Sequence, residues 1–331
     1  MIPRRQFLLS TAAFLLGACQ RQGEGRVLRA TDAHPDGYPT VEAVRFMGQE
    51  LARRTDGRLS VKVYSGGQLG EGKDTLEITV FGGLDLNRVS LAPLSNISPL
   101  VTVPSLPFLF SSEAHMRIAM DGAPGQRILD SLQPYGLVGL CFYDAGARSV
   151  YNNLRPVRTP EDMRGMKIRV QNSDVFVAMM QALGANPTPM PYGEVYQALV
   201  QGVVDGAENN WPSLESSRHF EAVKYFSLTR HVMVPEILLM SLHAWNRLDA
   251  EDQELVRASA RASVPVMRQM WDERVAASRE RVLASGRVAI NEDVDIAAFQ
   301  RLLEPVWERF LVTPELRQLA EDMRALAPAA G

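Results

Sequence analysis

From residue 27 onward the apolar and polar positions switch repeatedly between two periods. Leu59–Tyr64 alternates, apolar at Leu59, Val61 and Val63, as a half-buried strand does. Thr40–Thr55 instead carries Val41, Val44, Met47, Gly48 and Leu51 at helical spacing, with Gly57 as its stop. The same reading predicts strands over 27–31, 84–90, 137–143, 166–170, 203–207 and 236–241. It predicts helices over 75–81, 113–120, 125–132, 174–183 and 194–200. Asp249–Ser285 is a long helical tract interrupted only at Pro265. At 1.5 Å per residue it spans on the order of 50 Å, enough to brace two domains. The strand–helix–strand rhythm favours α/β sheets with largely parallel neighbours, arranged as two lobes with several chain crossings.

Length agrees with two domains, since 331 residues exceed one domain of the usual 150 or so. Hydrophobic residues make up 46% and charged residues 22%, the balance of a globular protein with an ample core. With 35 Lys+Arg against 38 Asp+Glu there is no basic excess to hold a nucleic-acid backbone. No stretch after residue 20 offers eighteen consecutive apolar residues, so none is expected to span a membrane. Residues 1–19 read as an export signal: Arg4 and Arg5 start it, a short apolar run follows, and the arginine pair resembles a twin-arginine motif. Leu16-Gly-Ala-Cys19 resembles a lipobox, which makes Cys19 the lipid-attachment residue and 20–26 a tether. A Sec signal cut elsewhere, with Cys19 discarded, is the alternative. The expected location is periplasmic, with a lipid anchor if Cys19 is acylated. Cys141, in the apolar run Leu137–Tyr143, is expected to be a small core residue.

Chemical motifs are sparse. Gly67 to Asp74 has the spacing of a phosphate-binding P-loop, but Asp74 stands where a serine or threonine must hold magnesium, and its charge would repel phosphate. The five histidines, His34, His115, His219, His231 and His243, form no i, i+4 pair or Cys/His cluster, so no metal or other cofactor is implied. No Gly-x-Ser-x-Gly elbow occurs. The missing nucleophile and metal constellations tilt the reading from enzyme to binder. What stands out is a set of polar residues at strand ends: Arg169 on the polar face of 166–170, Arg148 just past the strand 137–143, and Asn209, Asn210 and Trp211 after 203–207. Ligands of open α/β sheets gather at such carboxyl ends. Two arginines aimed into one cleft suit a carboxylate, which a guanidinium meets with two parallel hydrogen bonds. Surface exposure, or ion pairs to Glu161 or Asp162, would be the structural alternative for both. For Tyr192 and Trp211 the default is core packing, and for His34 a solvated loop.

Several stretches resemble the solute-binding proteins of tripartite ATP-independent periplasmic (TRAP) transporters, the DctP type. They are Gly146–Ser149, Met163–Asn172, Leu183–Met190, Gly193–Leu199 and Gly202–Asn209. The resemblance implies a periplasmic-binding-protein-like fold: two α/β lobes, a ligand cleft between them and a long helix spanning both. It assigns 27–145 plus 235–274 to lobe I and 146–234 plus 275–331 to lobe II. By the same resemblance Arg169 clamps the ligand carboxylate, Arg148 and Asn209 complete the clamp, and Tyr192 packs on the ligand. The stretches 30–43, 208–212 and 234–237 are similar to the branch that binds hexuronates such as glucuronate and galacturonate. Hydroxyl partners would then come from His34, Asn87, Asn210 and Glu236, and Trp211 and Glu71 are counted among the ligand-binding residues. Gly72 stands where a second acidic residue is expected after Glu71, and can remove one such contact. The implied partners are a small organic acid and the membrane subunits of the transporter, and the chain is expected to be a monomer. A C4-dicarboxylate or another small acid as cargo, a sugar-acid-processing enzyme, and a sensor-docking receptor are the alternatives.

Overall fold

The computed structural model describes residues 25–328. The expected export signal, Cys19 and the start of the tether lie outside the described residues. The chain begins with β1 (Arg26–Thr31), the helix Pro39–Arg54, β2 (Leu59–Tyr64), the helix Gly72–Val80 and β3 (Leu86–Ser90). Short helices then lead to β4 (Leu137–Tyr143). The chain crosses through 144–147 into a second sheet, built from β5 (Arg148–Asn152), β6 (Lys167–Val170), β7 (Asn186–Pro189), β8 (Gly206–Asn209) and β9 (Tyr225–Val232). It crosses back at 233–235 into β10 (Glu236–Ser241), and β11 (Ala289–Asn291) completes the second sheet. The strand orders are β2-β1-β3-β10-β4 and β11-β9-β5-β8-β6-β7.

Both sheets are mixed, which corrects the expectation of largely parallel neighbours. β10 runs antiparallel to β3 and β4, and β5 runs antiparallel to β8 and β9. The crossings explain this. A strand that enters from the other lobe starts at the cleft and runs away from it, whereas its neighbours run towards it. The cleft therefore collects the carboxyl ends of β1, β3, β4, β6, β8 and β9 and the amino ends of β5 and β10. The strand expected at 203–207 lies later, at Gly206–Asn209, because Val203 is half exposed in the turn that ends the preceding helix. Asn209 is thus the last residue of a strand rather than a loop residue.

The long helix, Ala250–Ala284, is uninterrupted; Pro265 lies inside it. Ser263 and Met267, flanking the proline, are fully buried. The Ser263 hydroxyl meets Tyr143 of β4 at 2.6 Å. Tertiary packing here outweighs the helix-breaking cost of proline, about 3 kcal/mol. The helix is fastened to both lobes. Arg268 pairs with Asp121 and Asp144, whereas Arg274 and Arg281 pair with Glu215 of the second lobe. One expected boundary is corrected: the last helix, Pro314–Ala325, packs on the first lobe, against the helix Ala123–Asp130 and the turn near Pro104. Its buried face, Leu316, Leu319, Ala320 and Met323, explains the choice, since each large apolar side chain removed from water contributes roughly 1.5–3 kcal/mol. His115 of the first lobe adds a 2.7 Å ring-nitrogen contact to the Met323 carbonyl. Cys141 is buried, as expected. No helix among the described residues is long and apolar enough to cross a membrane.

Candidate functional site

A cavity of about 300 Å³ lies between the lobes where these strand ends converge. That volume is at the lower end for small-molecule sites. Arg169, Arg148, Asn209, Asn210, Tyr192, His34, Glu236 and Glu71 all line it. Asn87 and Trp211 do not. Asn87 precedes Arg88 in β3, so the two side chains leave the sheet on opposite faces, and Asn87 donates instead to the buried Thr79 hydroxyl at 3.2 Å. Trp211 opens a short helix and packs edge-on against Phe226, ring centroids 4.7 Å apart. Its expected ligand contact is corrected on that ground.

Arg169 and Arg148 are both buried, yet they are satisfied differently. Arg148 starts β5 and reaches Glu208 of the paired strand β8, with Nε to Oε2 at 2.5 Å and Nη2 to Oε1 at 2.8 Å. Its Nη2 also donates to the Glu208 carbonyl and its Nη1 to Asn209 Oδ1, each at 2.8 Å. One Nη1 hydrogen remains. Arg169, near the end of β6, donates Nε and Nη2 to the Met190 carbonyl at 3.0 and 2.7 Å, and forms no ion pair among the described residues. Its outer fork, one hydrogen from each Nη, is left for the cavity. Neither arginine touches Glu161 or Asp162. Burial pulls Arg169 down from its ordinary pKa, and the neighbouring Arg148 adds to that shift. In Arg148 burial acts in the same sense, but Glu208 more than offsets it, so the net shift is upward. Asn209 Oδ1 accepts from Arg148 and from the Asn210 backbone, which turns its Nδ2 donor outward without a protein partner among the described residues. The Asn210 amide is engaged in capping its helix at Ser213 and in donating to Ala145 at 2.7 Å.

The opposite wall comes from the first lobe. Arg88 is held by Asp32 on two sides and donates to Glu236 Oε2 at 2.5 Å. Its Nη2 also lies 2.6 Å from His34 Nδ1. Nδ1 also lies 3.3 Å from Asp32 Oδ1; the shorter contact is with a guanidinium, which only donates, so Nδ1 is assigned as its acceptor and the ring proton to Nε2. Burial depresses the His34 pKa to about 4, consistent with a neutral ring. The ring stacks on Tyr38 at 3.9 Å and is tilted 5.2 Å from Tyr192. Glu71 reaches across the cleft to the Gly193 amide; a Cβ at Gly193 would lie 2.5 Å from Glu71 Oε1, so any larger residue there would displace the Glu71 carboxylate. Burial raises the Glu71 carboxyl above its usual range. At Gly72 a Cβ would meet only Val89, at 3.5 Å, so the missing side chain leaves room at the wall. Tyr38 adds a second bridge between the lobes, hydroxyl to Ser213 Oγ at 3.0 Å.

Tyr38, Arg88 and Glu208 are among the residues of this site that carry no expectation from the sequence reading. The available signal for Arg88 and Glu208 is a charged residue in or next to a predicted strand; both observed strands are fully buried. Such a residue must have a partner or a ligand. No group of metal-ligating side chains occurs among the described residues.

Residues 30–313 match the family described as bacterial extracellular solute-binding protein, family 7 (DctP). A solute-binding protein of Chromohalobacter salexigens is 42% identical over 297 residues, 89% of this chain and 88% of that protein. The fold superposes with a TM-score of 0.88 on a TRAP periplasmic solute-binding protein from a Bradyrhizobium species in complex with α/β-D-galacturonate, 50% identical, covering 91% of this chain and 100% of that one. A TRAP periplasmic solute-binding protein from Roseobacter denitrificans with bound β-D-glucuronate also gives 0.88, at 41% identity over 91% of this chain and 99% of the other.

Proposed function

This chain belongs to the DctP family of bacterial extracellular solute-binding proteins, and from that membership we propose that it is the receptor of a TRAP transporter for a hexuronate such as galacturonate or glucuronate. One observation carries the reading: Arg169 is a buried guanidinium with a free fork and, among the described residues, no carboxylate paired with it. A buried charge without a counter-charge is costly, and a ligand carboxylate removes that cost. The remaining Nη1 hydrogen of Arg148 and the Asn209 amide supply two further donors to the same end of the cavity. Tyr192, between His34 and His219, offers an aromatic face for the sugar ring.

In this reading an open form takes up the acid, and closure brings the arginine wall of the second lobe against the first. Closure excludes water, which strengthens each charge-assisted bond. The Tyr38–Ser213 and Glu71–Gly193 contacts then hold the lobes together. The closed receptor hands its cargo unaltered to the membrane subunits of the transporter. We assign the export signal and the acylated Cys19 to the same scheme, as the means that keep the receptor beside its transporter; mass spectrometry of the mature N-terminus tests this, and an unmodified N-terminus elsewhere would refute it. A thermal-shift screen of uronates, aldonates and other small acids, followed by calorimetry, tests the cargo. A ligand that binds only the folded form raises the unfolding temperature. Galacturonate or glucuronate should do so and be recovered intact; no response to either would overturn the proposal.

A further inference from the structure

We propose that the cleft admits only acids whose far end is neutral and hydroxylated, and that it excludes acids carrying a second carboxylate there. The inference rests on the hexuronate reading and narrows it. Its ground is the unequal charge of the two walls. The second lobe offers Arg169, Arg148 and the Asn209 amide. The first lobe faces them with Glu71 and Glu236 beside one guanidinium, Arg88, which Asp32, outside the cavity lining, holds in place. Four of the five Arg88 hydrogens are engaged, by Asp32, Glu236 and His34 Nδ1.

Two carboxylate oxygens of this wall await donors. Glu71 Oε2 is buried without a partner among the described residues. Glu236 Oε1 has no protein partner among the described residues, while Oε2 is held by Arg88. A buried acceptor left unpaired is costly, and a sugar hydroxyl donates to it while accepting from the His34 Nε2 hydrogen. An ionised carboxylate brings acceptors only. It would face Glu71 and Glu236 with no proton to share, and juxtaposed like charges weaken binding steeply. Lys73 and Asp74 at the exposed rim carry opposite charges and do not alter this balance.

The test is titration calorimetry of the intact protein with D-galacturonate and with two open-chain acids that differ from each other only at the far end: L-galactonate, which ends there in a hydroxymethyl group, and galactarate, which carries a second carboxylate. Galactarate should bind at least about 100-fold more weakly than L-galactonate, and succinate should give no measurable heat. Glu71→Gln and Glu236→Gln, each checked for folding by thermal unfolding, should narrow the ratio about tenfold or more, because each replaces a repelling charge by an amide that can donate. Two variants are used so that the loss of either fold leaves the other to decide. Galactarate binding within tenfold of L-galactonate, or a ratio unchanged in the folded variants, overturns the inference and leaves the hexuronate reading standing. Failure of galacturonate and glucuronate alike to bind overturns that reading and the inference with it.

Discussion

Replacing Arg169 by alanine separates the binding role of this side chain from any structural one. In the wild-type protein Arg169 is 3% exposed, and among the described residues its guanidinium is bonded only to the Met190 carbonyl. Its removal takes an unpaired charge out of the interior, which favours folding, and deprives Met190 of two donors, which opposes it at roughly 1 kcal/mol per bond. The two effects offset, so the unfolding free energy of the ligand-free protein should change by no more than about 1 kcal/mol. Ligand binding should change far more. A carboxylate left in the cleft without its partner costs about 3–5 kcal/mol. At about 1.4 kcal/mol per decade that is a loss of roughly 100- to several-thousand-fold in affinity. Arg169→Lys keeps the charge but not the fork and should fall between. Calorimetry with galacturonate, beside urea unfolding without ligand, measures both quantities. A folded Arg169→Ala protein that binds within tenfold of wild type would refute the clamp.

Other expectations follow from the same geometry. Glu208→Gln leaves Arg148 buried without its counter-charge, so it should lower stability by about 3–5 kcal/mol in urea unfolding as well as weaken binding; a stable variant would contradict the pairing. Burial depresses His34 to about 4 and His219 and His231 to about 3, against an ordinary 6.5. The unfolded chain therefore binds more protons below pH 6.5, and the stability these rings contribute is complete above that pH and falls as pH drops towards 4 and 3. Comparing the pH slope of unfolding with that of His219→Asn isolates one ring; identical slopes would be the contrary result. Burial also pushes the Cys141 thiol up to about 12, so a thiol reagent should react with it only on unfolding, and rapid labelling of the native protein would show otherwise.

Much of the fold was legible where the chain alternates cleanly or repeats at helical spacing. Leu59–Tyr64 and the helix Pro39–Arg54 are such cases. β7 was not legible, because Pro187 and Pro189 argue against a strand; the structure places it at the sheet edge, where a missing donor is tolerated. β9 was hidden by its polar residues, Thr229, Arg230 and His231, two of which are buried inside the second lobe. In the site, Arg169 could be found as a polar residue in an alternating strand. Asn87 and Arg88 could not be told apart, because neighbours in a strand face opposite ways and the sequence alone does not reveal which face meets the cleft. Trp211 misled for a related reason: Asn210 caps a helix, and the next side chain is turned into the second lobe's own core. The mixed sheet directions follow from the two crossings, which only the three-dimensional path displays.

The most direct test is a crystal structure of the protein with D-galacturonate. The acid should lie between the lobes, its carboxylate received by both Nη atoms of Arg169 with Arg148 and Asn209 beside it, and its hydroxyls turned towards His34, Glu71 and Glu236. A sugar acid bound with its carboxylate away from Arg169, or outside the cleft, would contradict this placement.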